Sequence, residues 1–303
     1  MKVFITGASG FIGSAVTKEL IAHGHTVVGQ GRSDSSGDKI KANGAEFIKA
    51  EPAADLELVA RVAAEADATI HCAFDNSFTD FAKACADDQA VINAVGAVYE
   101  GTGKTLLMCS GALIIAGIEG ADEDTSVTPE HVKSIIRAGS EIAALAWAER
   151  GVNVGVMRLP PMVHHPRLMT HGFITLILSA HKKAGYAAVI EGDETTWSAA
   201  NVLDVAVLFR LALEKTKGGM HWHPVADNAV KISDIAKVAA TKLDIPLKTI
   251  KPEDAVAHFG FLGPFLQRGG YVTNAKTIER AGWTITQPGL LEELERGSYF
   301  DMV

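Results

Sequence analysis

Short apolar runs alternate with stretches whose apolar residues recur at helical spacing along the first half of the chain. The runs predict buried strands at 3–5, 25–28, 45–48, 68–73, 104–109 and 152–159. The stretches between them predict helices at 11–23, 37–42, 54–66, 79–100 and 129–150. Strands and helices that alternate in this way form a parallel sheet with helices on both faces. The pattern therefore predicts an α/β fold with a doubly wound parallel sheet.

The loop between the first predicted strand and the first predicted helix has the sequence TGASGFIG at residues 6–13. Gly7 can adopt the positive φ of a tight turn, Gly10 has no Cβ to obstruct a phosphate, and Gly13 lets the helix approach the sheet. The helix N-terminus would direct free N–H groups at an anion. This context favours a dinucleotide-binding loop over an ordinary strand-to-helix turn. The residues expected to contact the cofactor here are Gly7, Ser9, Gly10, Phe11, Ile12 and Gly13.

The spacing GxxGxxG of this loop resembles that of the extended and atypical short-chain dehydrogenase/reductases, the NAD-dependent epimerase/dehydratase group. The likeness continues to the pair Gly282-Trp283, near the end of the chain. The resemblance implies a dinucleotide-binding (Rossmann) domain at 1–160, with returning segments near 195–225. A smaller C-terminal substrate domain at 161–303 is expected to close over the strand ends.

The end of the second predicted strand bears on the choice between NAD and NADP. Chains that bind NAD usually place an acid here to hold the ribose hydroxyls, and that acid would repel a 2′-phosphate. Gln30 occupies this position, and Arg32 and Ser33 follow it with donors suited to a phosphate. We therefore expect NADP (NADPH). The alternative is that Arg32 is a solvated loop residue and that Asp34 holds the ribose.

The resemblance implies further contacts with the cofactor. Glu51 follows the third strand, where the family carries an acidic and an apolar residue near the adenine, although an exposed loop acid is an equal alternative. Ala73 and Phe74 lie in a stretch that resembles the one beneath the cofactor phosphates. Pro160 belongs to a turn that resembles the one meeting the nicotinamide carboxamide.

Two residues resemble members of the family's catalytic set. Asp88 falls in the slot of an active-site asparagine, in the middle of a long predicted helix. Ser110 ends the fifth strand, where the family's serine hydroxyl can bind a substrate oxygen. The alternatives are that Asp88 is a surface acid and that the Ser110 hydroxyl caps the strand end.

The family's tyrosine, followed four residues later by a lysine that lowers its pKa, does not occur here. None of the four tyrosines has a lysine at that spacing. Counting back from Glu141 places Arg137 in the lysine slot and Lys133 in the tyrosine slot. Arg137 could bind the nicotinamide ribose or a substrate anion, and Lys133 could donate a proton or be a solvated charge. His131 is a third candidate. The pattern resembles the atypical branch of the family, which often carries an aspartate in the asparagine slot.

Histidines and a tryptophan mark the predicted substrate end. His164, His165 and His171 lie within eight residues, but their spacing and the lack of a nearby cysteine do not predict a metal site. His164 and His171 are candidates to face the substrate. Trp197 could stack on the substrate or belong to the core.

Composition limits the remaining possibilities. A net charge of −8 argues against nucleic acid or an anionic membrane as the main partner. No apolar run has the length of a membrane span or the position of a cleaved signal, so we expect a cytoplasmic protein. The three cysteines have no metal-type spacing and are expected in the core. The oligomeric state stays open, although the helices of Asp88 and Arg137 correspond to those that pair relatives into homodimers.

The sequence favours an NADP(H)-dependent oxidoreductase acting on the carbonyl or alcohol of a small organic molecule. Two alternatives remain. An epimerase or dehydratase would use the cofactor transiently, although relatives of that kind normally keep the tyrosine. A protein that binds NADP and senses its redox state without turnover is the second.

Overall fold

The computed structural model describes residues 1–168 and 172–303. Its strands are β1 (Lys2–Thr6), β2 (Thr26–Gly31), β3 (Glu46–Lys49), β4 (Ala68–His71), β5 (Thr105–Gly111), β6 (Asn153–Leu159), β7 (Met162–His164), β8 (Ala187–Ile190), β9 (Thr196–Asn201), β10 (Gly219–Trp222), β11 (Asp227–Lys231) and β12 (Leu247–Ile250). Its α-helices are α1 (Phe11–Ala22), α2 (Asp34–Ala42), α3 (Leu56–Glu65), α4 (Phe81–Tyr99), α5 (Pro129–Ser134), α6 (Ala138–Ala148), α7 (Phe173–Ala184), α8 (Val202–Lys215), α9 (Ile232–Leu243), α10 (Ala255–Phe259), α11 (Gly263–Leu266), α12 (Ala275–Ala281) and α13 (Leu290–Arg296).

A seven-stranded sheet in the order β10-β6-β5-β4-β1-β2-β3 forms the centre of the molecule. All of its neighbouring strands run parallel. Val3, Phe4 and Ile5 of β1 are completely buried, as expected for a central strand covered on both faces. Helices α1 and α8 supply the core on one face, and α3, α4 and α6 supply it on the other. The expectation of an α/β fold with a doubly wound parallel sheet is confirmed.

The second half of the chain contributes to two cores. Strand β10 joins the main sheet and α8 packs on α1, so the segment 202–222 returns to the half of the molecule that is built on the main sheet. The remaining elements form two small sheets, β11-β9-β7 and β12-β8, which pack with α7, α9 and α13 around a separate apolar cluster. The division at residue 160 stays a prediction. Within the described ranges, no helix combines the length and the apolar character needed to cross a membrane.

The helix predicted over 129–150 is wrong as a single element. The structure contains α5 and α6 instead, separated at Ile135–Arg137, and Ile135 has the extended dihedrals φ −136° and ψ 89°. Val132 and Ile135 nevertheless pack in the same apolar cluster as Ala138 of α6. The helical spacing of apolar residues therefore continues through a segment in which the backbone is not helical.

Candidate functional site

A groove of about 620 Å³ runs along the carboxyl ends of the strands. This is where open parallel sheets place their ligands. Its lining includes most of the residues predicted to contact the cofactor: Gly7, Ser9, Gly10, Phe11, Ile12, Gly13, Arg32, Glu51, Ala73, Phe74 and Pro160. Ser33 is not among the lining residues; its hydroxyl accepts a hydrogen bond from the Ser36 amide and caps α2.

The loop between β1 and α1 has the shape that a dinucleotide phosphate requires. Gly7 has a φ of +67°, and a Cβ on Gly13 would lie 2.2 Å from the Gly7 carbonyl oxygen. A Cβ on Gly7 would also collide with the backbone of Ala73. Gly10 precedes α1 in an extended conformation and leaves the first turn of the helix open to the groove. These residues fit a bound dinucleotide, with the amides of α1 available to its phosphates.

The end of β2 carries no carboxylate. Gln30 is buried, where its amide oxygen accepts a hydrogen bond from the Gly7 amide at 2.9 Å and its amide nitrogen donates to the Ala50 carbonyl at 2.5 Å. Gly31 ends the strand, and the mostly exposed Arg32 follows at the groove, 3.9 Å from Glu51. Gln30 therefore positions the glycine loop, and Arg32 is the cationic group that follows the end of β2 at the groove.

A chain of polar contacts lies under the groove. The Thr6 hydroxyl is 2.6 Å from Nδ1 of His71, and Nε2 of His71 lies 3.2 Å from a carboxylate oxygen of Asp88. The guanidinium of Arg137 contacts the other oxygen of Asp88 and donates to the Cys109 carbonyl at 2.7 Å. The structure thus brings together two predicted catalytic residues, Asp88 and Arg137, and adds His71.

Asp88 is charged although it is 4% exposed. Burial alone would raise the pKa of this carboxyl, but contact with His71 and with the Arg137 guanidinium outweighs burial, so the net effect is a lowered pKa. His71 and Asp88 both line the groove. The ion pair can therefore fix the floor of the groove and the charge beneath a bound ligand.

Ser110 is not among the residues that line the groove, and its hydroxyl belongs to a second buried network. It donates to Glu141 at 2.5 Å, and Arg158 donates to the same carboxylate at 2.7 Å. His221 lies 3.6 Å from Glu141. Burial opposes ionisation of Glu141, but His221, Arg158 and Ser110 together lower its pKa to about 2. Glu141 therefore holds β5 and β6 to α6, and the predicted contact of Ser110 with substrate stays a prediction.

Lys133 lies on the surface. Its side chain is 77% exposed and contacts Glu130 on the same short helix, and Lys133 is not among the residues that line the groove. His131 is used locally, because its Nδ1 accepts a hydrogen bond from the Thr128 amide at 3.0 Å. The structure does not bring either side chain to Asp88 and Arg137.

The predicted substrate-end residues have structural partners where they are described. His164 is fully buried, with Nδ1 2.8 Å from Glu293. Trp197 is also fully buried and donates to the Arg268 carbonyl, but its ring lies 5.6 Å from that of Phe173, which does line the groove. His171 lies outside the described residues.

Phe78 and Phe173 line the groove although the sequence patterns did not select them. Phe78 lies in the loop between β4 and α4, and Phe173 begins α7. The available signal was the position of Phe78 in a loop that follows the carboxyl end of a strand. The rings of Phe173 and Phe261, which lie near it, are distant in the sequence.

Comparison with known proteins identifies the family. The model of the NAD dependent epimerase/dehydratase family matches residues 3–223. The uncharacterized protein YLL056C of Saccharomyces cerevisiae is 38% identical over 99% of this chain and 99% of its own length. The solved structure of DesIV from Streptomyces venezuelae, a dTDP-glucose 4,6-dehydratase with NAD bound, is similar with a TM-score of 0.75 at 17% identity, over 98% of this chain and 96% of that one.

A shorter match is to GRP2 of Candida albicans, named as a candidate NADPH-dependent methylglyoxal reductase. It is 51% identical over 41 residues, which are 14% of this chain and 12% of that protein. The family match and the matching fold together confirm the resemblance seen in the glycine loop. The chain belongs to the NAD dependent epimerase/dehydratase family.

Proposed function

We propose that this protein is an NADP(H)-dependent oxidoreductase that acts on the carbonyl or alcohol of a small organic molecule. The observation that carries the proposal is the cofactor end of the groove. There, Arg32 stands beside a glycine loop, and the last residue of β2 is Gly31 rather than an acid. A guanidinium in this position can bind a 2′-phosphate, whereas the acid typical of NAD-binding chains would repel it.

The match to GRP2 supports a carbonyl reductase that uses NADPH, since that is the activity its name gives. Strong polar contacts under the groove, between Asp88, His71 and Arg137, give the site a fixed floor. The match to GRP2 and the fixed floor of the groove both agree with a protein that orients a cofactor and a second molecule.

When bound, the cofactor supplies the hydride. In the direction of reduction, the substrate carbonyl carbon would gain that hydride and its oxygen a proton from water, so that an alcohol and NADP⁺ would be the products. The residues of this chain would bind and orient: the glycine loop would hold the phosphates, Arg32 would hold the 2′-phosphate, and Asp88 with Arg137 would fix the floor of the groove. The catalytic roles predicted for Ser110 and Lys133 remain proposals to be tested by substitution.

The first test is a fluorescence titration of the purified protein with NADPH and with NADH, followed by a panel of aldehydes, ketones and quinones. We expect tighter binding of NADPH and its oxidation by part of the panel. Equal binding of the two cofactors would contradict the assignment of NADP. Tight binding of NADPH with no consumption would contradict the oxidoreductase.

Replacing Arg32 with alanine tests the phosphate contact directly. We expect Arg32→Ala to weaken NADPH about tenfold or more and NADH little, because one charge-assisted pair to the 2′-phosphate is lost. Lys39→Ala is the matched control, since Lys39 is an exposed cation of α2 that does not line the groove. An equal loss for both cofactors in Arg32→Ala would remove the basis of the assignment.

The positions of Ser110 and Lys133 favour a second candidate, an NADP-binding protein that senses the redox state. Both side chains are engaged outside the groove lining, so a proton donor from the protein is less evident. Such a protein would bind NADPH and NADP⁺ with different affinities and turn over no carbonyl. An epimerase or dehydratase would convert its substrate with no net change in the cofactor, which absorbance at the nicotinamide band distinguishes.

A further inference from the structure

Phenylalanine rings from separate parts of the chain lie in contact beside the groove. We call the set Phe74, Phe78, Phe81, Phe173 and Phe261 the aromatic wall. Phe78 is its centre: its ring stacks on Phe81 at a centroid distance of 5.8 Å, and lies 5.3 Å from Phe261 and 6.5 Å from Phe173. Phe74 meets Phe81 edge to face at 6.0 Å. Phe74, Phe78 and Phe173 line the groove itself.

Two rings of the aromatic wall are partly exposed to solvent. One of them belongs to a residue whose backbone conformation is seldom adopted by phenylalanine. Phe78 is 41% exposed and Phe261 is 49% exposed. Phe78 also has a φ of +58°, in the left-handed region that favours glycine. Unusual backbone conformations and exposed apolar patches both concentrate at ligand sites. Their coincidence on Phe78, at the groove, points to a ring-shaped ligand rather than to packing alone.

The wall is supported from behind. The indole of Trp197 is fully buried, is fixed by a hydrogen bond to the Arg268 carbonyl, and lies 5.6 Å from the ring of Phe173. On the other flank, the guanidinium of Arg137 lies 4.3 Å from the centroid of Phe74. The rings that face the groove are therefore held in place before a ligand binds, which lowers the entropy lost on binding.

The charges that line the groove disfavour a second phosphate-bearing ligand beside the cofactor. Among the described residues that line the groove, Arg32 is the one lysine or arginine. In the function proposed above, its guanidinium binds the 2′-phosphate of the cofactor. Arg137 beside Phe74 is occupied by Asp88. Carboxylates are more numerous in the lining: Glu51, Asp75, Asp87 and Asp88. A nucleotide sugar would bring a further diphosphate into this field, where the described lining residues offer no second lysine or arginine to meet it.

We propose that the substrate is an uncharged carbonyl compound with an aromatic ring, and that this ring packs against Phe78 and Phe173. The proposal rests on the oxidoreductase proposed above and specifies its substrate class. Offset-stacked and edge-to-face contacts with these rings hold the substrate. Its carbonyl carbon gains the hydride of the bound NADPH, and its oxygen gains a proton from water. The products are the aromatic alcohol and NADP⁺.

The experiment measures binding and turnover separately. Binding of 2-naphthalenemethanol to the NADPH-loaded protein is measured by calorimetry, because this alcohol cannot be reduced further and so reports the site without chemistry. The titration is repeated on the protein without cofactor and with UDP-glucose in place of the alcohol. Turnover is followed as NADPH oxidation with 2-naphthaldehyde and with methylglyoxal, a carbonyl compound without a ring.

Two substitutions in the wall and one matched control complete the design. Phe78→Gly removes the central ring and retains a residue suited to the positive φ, and Phe173→Ala removes another ring that lines the groove. Each should weaken 2-naphthalenemethanol about tenfold, since one aromatic contact is lost. Phe265→Ala is the control, because Phe265 has the same exposed fraction as Phe78, 41%, and is not among the residues that line the groove. We expect no change in that variant.

The outcomes separate the two proposals. Binding of the alcohol that depends on Phe78, without reduction of any carbonyl, would support the aromatic site and contradict the oxidoreductase. Reduction of methylglyoxal without binding of the alcohol would support the oxidoreductase and overturn the aromatic site. Tighter binding of UDP-glucose than of the alcohol, or unchanged binding in both wall variants, would also overturn it.

Discussion

Arg137 and Lys133 lie four residues apart on the chain, and their side chains have opposite environments. The Arg137 side chain is 12% exposed and meets the buried carboxylate of Asp88, whereas Lys133 is 77% exposed and meets Glu130. Counting back from Glu141 assigned Arg137 to the lysine position and Lys133 to the tyrosine position of the family's catalytic set. Counting identifies the position of a residue but not the direction of its side chain, and the helix predicted to carry both residues is interrupted after Ser134.

Removing the two charges should therefore have different effects on stability. We expect Arg137→Met to lower the free energy of unfolding by about 3 kcal/mol, because it leaves Asp88 buried without its cation. The pKa of Asp88 is lowered in the wild-type protein, and in the variant it should rise towards the value that burial alone favours. Lys133→Met should change the free energy of unfolding by less than about 0.5 kcal/mol. Urea unfolding at pH 7 measures both, and similar losses in the two variants would contradict the geometry.

At the scale of elements, the strand–loop–helix unit at the N-terminus was predictable in detail. The spacing of Gly7, Gly10 and Gly13 predicts a turn in which Gly13 packs directly on the Gly7 carbonyl, a contact that is local in the sequence. The break between α5 and α6 was not predictable. Val132 and Ile135 face the same apolar cluster as Ala138, so a helical pattern of apolar residues continues through a non-helical segment.

Gly13→Ala tests whether the first of these elements binds the cofactor. The new Cβ would lie 2.2 Å from the Gly7 carbonyl oxygen, so the loop must shift away from the helix. We expect NADPH and NADH both to bind at least about tenfold more weakly, because overpacking of this kind costs about 1–3 kcal/mol and moves the amides that face the phosphates.

Gly269→Ala provides the comparison for this variant. Its added Cβ would meet nothing within 4 Å among the described atoms, and cofactor binding should be unchanged. Fluorescence titration measures both variants. Normal affinity in Gly13→Ala would show that the phosphates bind elsewhere.

At the scale of the whole molecule, the sequence predicted the sheet and the position of the groove, but not the second side of the site. The aromatic wall joins residues near 74–81 to Phe173 and Phe261, which lie on different elements and share no local pattern. Of these rings, Phe173 packs against the second core, around β8, β9 and α9. Local patterning therefore predicted the cofactor end of the groove, and tertiary packing determined the opposite end.

The buried network of Glu141 makes a prediction about the acid stability of the whole molecule. Its carboxyl has a pKa of about 2 in the folded protein and an ordinary value of 4.5. A lowered pKa in the folded state stabilises the protein fully above pH 4.5, and this contribution disappears as the pH falls towards 2. At pH 7, we expect Glu141→Gln to lower the free energy of unfolding by about 3 kcal/mol, since Arg158 stays buried without its partner.

The difference between wild type and Glu141→Gln should therefore narrow at acid pH. Urea unfolding at pH 7, 5, 4 and 3.5 measures it, because the wild-type carboxylate loses its advantage over a neutral amide as the unfolded chain takes up a proton at this position. Glu100→Gln is the control: Glu100 pairs with Arg150 at the surface, and its substitution should change stability little at every pH. A constant difference from pH 7 to pH 3.5 would mean that the damage in Glu141→Gln is one of packing, and that the ionised carboxylate does not hold β5, β6 and α6 together.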